Sequence, residues 1–411
     1  MLRILAGLGN PHRKFKCVHL AGTKGKGSTC HMVASMLENA GYRTGLYTSP
    51  HIVELRERIQ IDSKMISESN FTKLIAKIAP VVKRLSRDDP TFFEIVTAAA
   101  FLHFAKEKVD IAVIETGLGG RLDSTNVVKP EVCGITSISY DHVAQLGKTL
   151  EKIAGEKAGI FKPGAAVICA PQSSSVRRVL KKAAEQTGCD IRILGEDIEF
   201  SYRFESSRAT GPHTRVCIST PTSRFDHLRV PLLGEHQAHN CGVALGIIDE
   251  LRKRGFEVSE QAAIDGLAKV NVQGRLELLR PVPRTIIDAA HNASSVAALM
   301  RAIGQNVGYD SMVVIFGCSQ DKDIEGMLDQ IQLGADKVIF TSTGTARSAD
   351  PHELLARFQE KSQKMAQVGD SLQSAFEIAR RCVTREDLIC VTGSVHLVGL
   401  AKRLQASGEF E

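Results

Sequence analysis

The segment Val18-His-Leu-Ala-Gly-Thr-Lys-Gly-Lys-Gly-Ser28-Thr29 constrains this chain more than any other. An apolar run enters a turn with glycines at 22, 25 and 27, then passes straight into a helical pattern closed by Gly41. Glycines let backbone N–H groups converge on a ligand, and the start of a helix adds its dipole, so such a turn favours phosphate oxygens. Lys26 adds a point charge at the same place. The spacing departs from an ordinary G-x-x-x-x-G-K-[ST] loop, because few residues follow Gly22 and Gly27 stands between Lys26 and Ser28. The segment therefore reads as a strand, a phosphate cradle and a helix, with Gly25, Lys26, Gly27, Ser28 and Thr29 as the phosphate-binding residues.

Around it, short β-branched runs alternate with segments of helical period, which signals βαβ units and a mostly parallel sheet. Strands are predicted at 17–21, 44–48, 110–115, 132–137 and 166–170, and helices at 28–40 and 92–106. Residues 198–230 change character, with alternation at Arg215-Val-Cys-Ile-Ser219 and turn residues at Gly211-Pro212, which predicts a β-hairpin insertion. A second α/β series follows Gly274, with strands near 285–288, 312–316, 338–341 and 388–392. The predicted fold is α/β in two domains. Residues 1–272 form a P-loop-type, mostly parallel sheet with helices on both faces, and residues 273–411 a smaller Rossmann-like domain. Two such units imply a cleft between them, a preferred place for ligands.

Composition narrows the function. At roughly 150 residues per domain, 411 residues make two or three folding units. Lys+Arg 52 against Asp+Glu 46 leaves +6, a mixed balance that suits small anionic molecules better than a DNA groove. With no tryptophan and 5% aromatics, a base-stacking platform is disfavoured. The longest apolar stretch, 95–105, is interrupted by His103 and falls short of the roughly 20 residues of a membrane span. The start reaches basic residues and Pro11 too early for a secretory signal. Ten cysteines without a C-x-x-C pair read as reduced core thiols. The expectation is a cytoplasmic monomer that handles small molecules, without nucleic-acid or membrane partners.

The G-T-x-G-K-G-S-T turn is followed by Tyr47-Thr-Ser-Pro-His51, Glu57-Arg-Ile-Gln-Ile61, Thr91-Phe-Phe-Glu94 and Glu115-Thr-Gly-Leu-Gly-Gly-Arg-Leu-Asp-Ser-Thr-Asn126. Then come Asp141-His142, Gly155-Glu-Lys-Ala-Gly159, Gly234-Glu-His-Gln-Ala-His-Asn240, Gly274-Arg275 and Asp288-Ala-Ala-His-Asn292. In this order, over nearly the whole chain, the motifs resemble the folylpolyglutamate synthase and dihydrofolate synthase family of Mur-type amide ligases. The resemblance implies an ATP-dependent ligase that adds L-glutamate to dihydropteroate, to folate (poly)glutamate tails, or to both, through an acyl phosphate. A synthase acting on folate tails only, or another Mur-type ligase, is the alternative within the fold. A P-loop kinase and a non-catalytic nucleotide binder are the alternatives outside it.

The chemistry makes these residue types sensible. A carboxylate resists attack by an amine until ATP converts it to an acyl phosphate, and Mg²⁺ offsets charge gathering on the γ-phosphate. The resemblance assigns Lys26, Glu115, His142 and Lys157 to catalysis, with Ser49, Glu115 and His142 as magnesium ligands and a carbamate on Lys157. Arg275 would meet the ATP phosphates, Asp288 the ribose, His291 the nucleotide region and Asn240 the adenine. Thr91, Phe93 and Asp123 would flank the pterin pocket. The basic residues Arg177, Arg178, Lys181 and Lys182 read as one solvent-exposed helix face. Lys24, where bacterial bifunctional relatives commonly have asparagine, and the ending Gly393-Ser-Val-His396 depart from the usual pattern and leave the preferred folate open. Relatives carry a helical lead-in before Leu8-Gly-Asn-Pro11, so a shortened start is expected.

Overall fold

The structure, a computed structural model, describes residues 1–85, 89–207 and 211–408. Its larger sheet has eight strands: β1 (Lys16–Ala21), β2 (Thr44–Tyr47), β3 (Ile59–Ile61), β4 (Lys64–Met65), β5 (Ile111–Glu115), β6 (Val132–Ile135), β7 (Ala166–Cys169) and β8 (Asp190–Ile193). Their spatial order is β4-β3-β2-β5-β1-β6-β7-β8. From β2 to β8 across the sheet all neighbours are parallel, while β3 and β4 return antiparallel at one edge. Parallel strands need helical crossovers that cover both faces. Hence Val18 and Leu20 of β1 join one core with the helices Lys26–Asn39 and Glu235–Lys253, whereas Cys17 joins another under Phe92–Glu107.

The helix Glu235–Lys253 is buried along most of its length. One side packs on the sheet; the other carries a three-stranded antiparallel meander of β9 (Glu199–Ser207), β10 (Gly211–Ser219) and β11 (Arg224–Arg229). The expected hairpin is thus one strand larger. Gly211-Pro212, read as a turn, instead opens β10, where Pro212 pairs with Ser206. Proline tolerates the first residues of a strand, and Gly211 supplies the left-handed entry at φ +66°. Residues 208–210, between β9 and β10, lie outside the described residues.

The second sheet contains β12 (Glu277–Pro281), β13 (Arg284–Ile287), β14 (Met312–Phe316), β15 (Lys337–Phe340), β16 (Met365–Val368) and β17 (Leu388–Thr392), ordered β12-β13-β17-β14-β15-β16. Only β12 is antiparallel to its neighbour. The helices Ala293–Asn306 and Ile324–Gly334 cover one face, and Leu372–Arg381 and Val395–Ala406 the other. All ten cysteines are free, and among the described residues no helix is long and apolar enough to cross a membrane. Of the basic helix face, Arg177 and Lys181 pair with Glu196 at the surface.

The helix Glu260–Ala268 packs tightly on Lys26–Asn39, the helix that carries the phosphate loop. Ser35 Oγ donates to Gly266 O at 2.7 Å, and a Cβ on Gly266 would lie 2.7 Å from both Met36 Cα and Ser35 O. Those neighbours are backbone atoms and cannot rotate away. Gly266→Ala should therefore lower unfolding stability in urea by about 1–3 kcal/mol. Gly304→Ala, at an exposed helical glycine with no neighbour within 4 Å, should raise it by about 0.5–1 kcal/mol. Equal effects of the two substitutions would contradict this packing.

Candidate functional site

The loops after β1, β5 and β6 open at the C-terminal edge of the larger sheet, where α/β folds place ligands. Gly25 begins the helix Lys26–Asn39 in a left-handed conformation, φ +85°. A Cβ there would also lie 2.1 Å from Asn240 Oδ1, so backbone angle and contact both require glycine. The next residue, Lys26, folds back: its Nζ donates to Gly22 O at 3.2 Å and lies 3.8 Å from Glu115 Oε1. Glu115 ends β5 and is buried, with Oε2 accepting Ser49 N–H at 3.0 Å. Burial raises its pKa, against the pull of Lys26 and the Ser49 N–H.

Lys157, on the helix Leu150–Ala158, reaches the same loop from behind. It is only 3% exposed, and its Nζ donates to Gly22 O at 2.7 Å. Burial first, and the Lys26 charge second, bring its pKa down to about 7. A Glu-Lys pair on a helix ordinarily faces water; this lysine faces the phosphate loop.

The three loops and the second sheet enclose a cavity of about 840 Å³. From the second unit, Arg275, Asp288 and His291 line it. Asp288, just past β13, accepts Leu276 N–H and Ala290 N–H, each at 2.9 Å. Burial raises its pKa and the Arg275 charge opposes that. Arg275 Nη1 donates to Gly274 O at 3.3 Å. His291 Nδ1 lies 2.9 Å from Ala289 O, which can only accept, and burial lowers its pKa to about 4. The ring is therefore neutral, with its proton on Nδ1. Asn240 Nδ2 donates to Gln237 Oε1 at 2.8 Å, and Gln237 in turn reaches Ser28 Oγ at 3.4 Å.

At the other end, Thr91 caps the helix Phe92–Glu107 in a reciprocal box with Glu94. Phe93 lies beside Tyr47, ring centroids 6.0 Å apart, and walls the cavity as well as joining the core. Asp123 lines the cavity too, but its carboxylate accepts Leu118 N–H at 2.8 Å, Thr125 N–H at 2.9 Å and the Thr125 hydroxyl. Burial raises its pKa and these bonds resist the rise. It shapes its own loop before it meets any ligand.

Gly25, Lys26, Gly27, Ser28, Ser49, Thr91, Phe93, Glu115, Asp123, His142, Lys157, Asn240, Arg275, Asp288 and His291 all border this one cavity. Thr29 does not. One position further round the helix than Ser28, it is fully buried and its hydroxyl has no partner. Sequence reasoning missed the contacts that join the two units. Lys24 Nζ donates to Ser294 Oγ, and Asp141 accepts Asn292 Nδ2 at 3.1 Å with Lys322 Nζ 3.8 Å away. It also missed Arg301, which lines the cavity seven positions after Ser294. That interval is two helical turns, a signal that could have found it.

Among the described residues no group of three or more His, Cys, Asp or Glu side chains is gathered as a metal cage. Mg²⁺ beside a nucleotide needs less, one or two carboxylates with phosphate and water completing its shell. Glu115 fits that requirement: it is buried, cavity-facing, and its Oε1 is left to the Lys26 ammonium at 3.8 Å. His142 is placed less tightly. It sits at φ +47° before the short helix Val143–Leu146, with Nε2 3.8 Å from Asp141 Oδ1, and burial lowers its pKa against the pull of Asp141.

Both units have counterparts in known proteins. Residues 20–248 match the Mur ligase middle domain, and residues 274–395 the Mur ligase glutamate ligase domain. The chain is 33% identical to the dihydrofolate synthase/folylpolyglutamate synthase of Bacillus subtilis, over 98% of this chain and 94% of that protein. The namesake from Mycobacterium tuberculosis is also 33% identical, over 97% and 87%. The structure of M. tuberculosis folylpolyglutamate synthase complexed with ADP and AMPPCP aligns with a TM-score of 0.92 at 31% identity, covering 98% of this chain and 94% of that one. That of E. coli FolC in complex with DHPP and ADP gives 0.88 at 29%, covering 99% and 92%. A phosphate loop facing an arginine and an aspartate across two α/β units, with relatives matched along their length, means that this chain belongs to the dihydrofolate synthase/folylpolyglutamate synthase family of Mur ligases.

Proposed function

We propose that this protein uses ATP to join L-glutamate to dihydropteroate and to the glutamate tails of reduced folates, releasing ADP and phosphate. The observation that carries the reading is that Lys26 and Glu115 of the first unit and Arg275 and Asp288 of the second border the same cavity. An ATP laid along it would have phosphates at the loop and sugar towards Asp288. The domain division at 272/273 is part of the reading, supported by strands ending at 193 and 229 in the first unit and starting at 277 in the second. So are a monomeric state, since one chain supplies both walls, and a cytoplasmic setting, since all ten thiols are free.

The proposed chemistry follows from charge. The substrate carboxylate attacks the γ-phosphorus, ADP leaves, and the glutamate amine then attacks the acyl carbon and expels phosphate. Lys26, the N–H groups at the start of its helix, and Arg275 stabilise charge on the phosphoryl oxygens. Glu115 and Ser49 would hold Mg²⁺, with His142 as a third donor, and the ion would neutralise charge on the transferring group. Thr91, Phe93 and the Asp123 loop would present the pterin end. Contacts such as Lys24 to Ser294 keep the units together, which excludes water from the acyl phosphate.

The direct test incubates the protein with ATP, Mg²⁺, glutamate and either dihydropteroate or tetrahydrofolate, followed by mass analysis. Glutamyl products from both acceptors support the reading. A phosphoester product or no turnover would sink it, and products from tetrahydrofolate alone would restrict it to tail extension.

Three variants probe the parts. Lys26→Ala should lower kcat by roughly 10²–10³-fold while the protein stays folded, as for loss of one preorganised donor to a transition-state charge. Glu115→Gln should raise the Mg²⁺ concentration for half-maximal turnover by more than about tenfold, and Ser49→Ala by less, because the carboxylate supplies charge as well as a ligand. An unchanged requirement in Glu115→Gln would remove that carboxylate from the metal site.

Lys157 should be a carbamate in the active protein, so Lys157→Ala should lose activity that small added carboxylic acids partly restore. The neutral amine is the form that attacks CO₂. With its pKa brought down to about 7, the neutral fraction grows as pH rises from 6 to 8. At fixed dissolved CO₂, reactivation of CO₂-depleted protein should therefore run roughly tenfold faster at pH 8 than at pH 6. Full activity without CO₂ would contradict the carbamate.

A further inference from the structure

We infer that His19 is a positioning residue for the folate-side substrate: through the Thr125 hydroxyl it fixes the Asp123 carboxylate and the loop that Asp123 holds. The inference rests on the ligase reading above and goes beyond it, because His19 touches neither the cavity nor any residue so far given a role in chemistry.

His19 stands in the middle of β1, between Val18 and Leu20, and is fully buried. Its Nε2 lies 2.8 Å from the buried Thr125 Oγ1, more than a hundred positions away in sequence. The Thr125 hydroxyl has one proton and spends it on Asp123 Oδ1, since an ionised carboxylate only accepts. The bond from His19 must then be Nε2–H donating to Thr125. That leaves Nδ1 unprotonated, and it is indeed buried with no partner. Burial, and then the charge of Lys162, push the His19 pKa down to about 3, so the ring stays neutral and keeps this tautomer. An orphaned buried nitrogen is unfavourable, and an aliphatic side chain like those on either side would avoid it. What the imidazole adds is the bond to Thr125.

The consequence reaches the cavity in two steps. Asp123 Oδ1 also accepts Thr125 N–H, and Oδ2 accepts Leu118 N–H, so one carboxylate ties together two distant points of the loop. Between them, Gly119 and Leu122 line the cavity, and a Cβ on the preceding Gly117 would lie 2.5 Å from Phe93 Cζ. Letting the Asp123 carboxylate rotate would shift this wall against the pterin face, while the phosphate loop at the far end of β1 keeps its own anchors.

The test uses the full chain. Thr125→Val and His19→Leu remove the relay, whereas Thr125→Ser and His19→Gln keep a hydroxyl and an Nε2–H donor. The first pair should raise KM for dihydropteroate by about tenfold, the scale of one lost charge-assisted hydrogen bond, with KM for ATP changed less than twofold. The second pair should stay within about threefold of wild type. A parallel rise in both KM values, or no rescue by the conservative pair, would reduce His19 to a core residue and overturn the inference. Nitrogen-15 spectra of the histidine rings test the geometry without turnover. They should show His19, identified by sequence-specific assignment of the wild-type protein, neutral and protonated at Nε2 at pH 7. A proton on Nδ1 would overturn the inference even if every variant unfolds. A wild type that forms no amide product would instead overturn the ligase reading and leave the ring spectra standing.

Discussion

Two lysines from different parts of the chain converge on a single carbonyl oxygen, that of Gly22. Lys26 reaches it from the first turn of the phosphate-loop helix and Lys157 from a helix more than a hundred residues later. Held so close, the two ammonium groups repel, and burial removes the water that would screen them. The site answers this in two ways: Glu115 stands against Lys26, and Lys157 is pushed towards its neutral form. The N–H groups at the start of the phosphate-loop helix, with Lys26 beside them, leave the floor of the pocket suited to an anion. The glycine turn makes the convergence possible, since Gly25 must be left-handed and without a side chain for the helix to begin where it does.

The second unit completes the charge pattern instead of duplicating it. Arg275 and Asp288 face the cavity as a partly compensated pair, with the aspartate held by two backbone N–H groups and available to hydroxyls on the same wall. Beside the loop the contacts between the units are polar, while Ile52 of the first unit packs on the apolar core of the second. Lys24 and Asp141 from the first unit meet Ser294, Asn292 and Lys322 of the second. Burial brings the Lys24 pKa down to about 8, against the attraction of Asp141.

Much of this was legible in the sequence because it lives in local pattern. The buried parallel strands β1, β2, β5, β6 and β7 read as apolar runs and start or end within two residues of expectation. The edge strands β4, β8, β12 and β16, and β3 next to one edge, gave no such signal, being short, polar or half exposed. The helix on the phosphate loop starts at Lys26, two residues earlier than expected, because Gly25 occupies the capping position. Motifs likewise pointed to residues that border the cavity, but Thr29 turned inward, and one step along a helix is a rotation no motif spacing encodes. The duties of Asp123 and His19 were invisible, since both depend on partners fixed by the fold of the intervening chain.

In the proposed reaction a carboxylate is activated by phosphoryl transfer within the cavity between the two units. Oxygen-18 placed in the carboxyl group of dihydropteroate tests it most directly, because the acyl phosphate carries one substrate oxygen to the phosphate. Mass analysis after one round of ligation should find the label shared between the new amide and the released phosphate, with none in ADP. Released phosphate without label, beside an amide that keeps one labelled oxygen, would contradict activation by phosphoryl transfer.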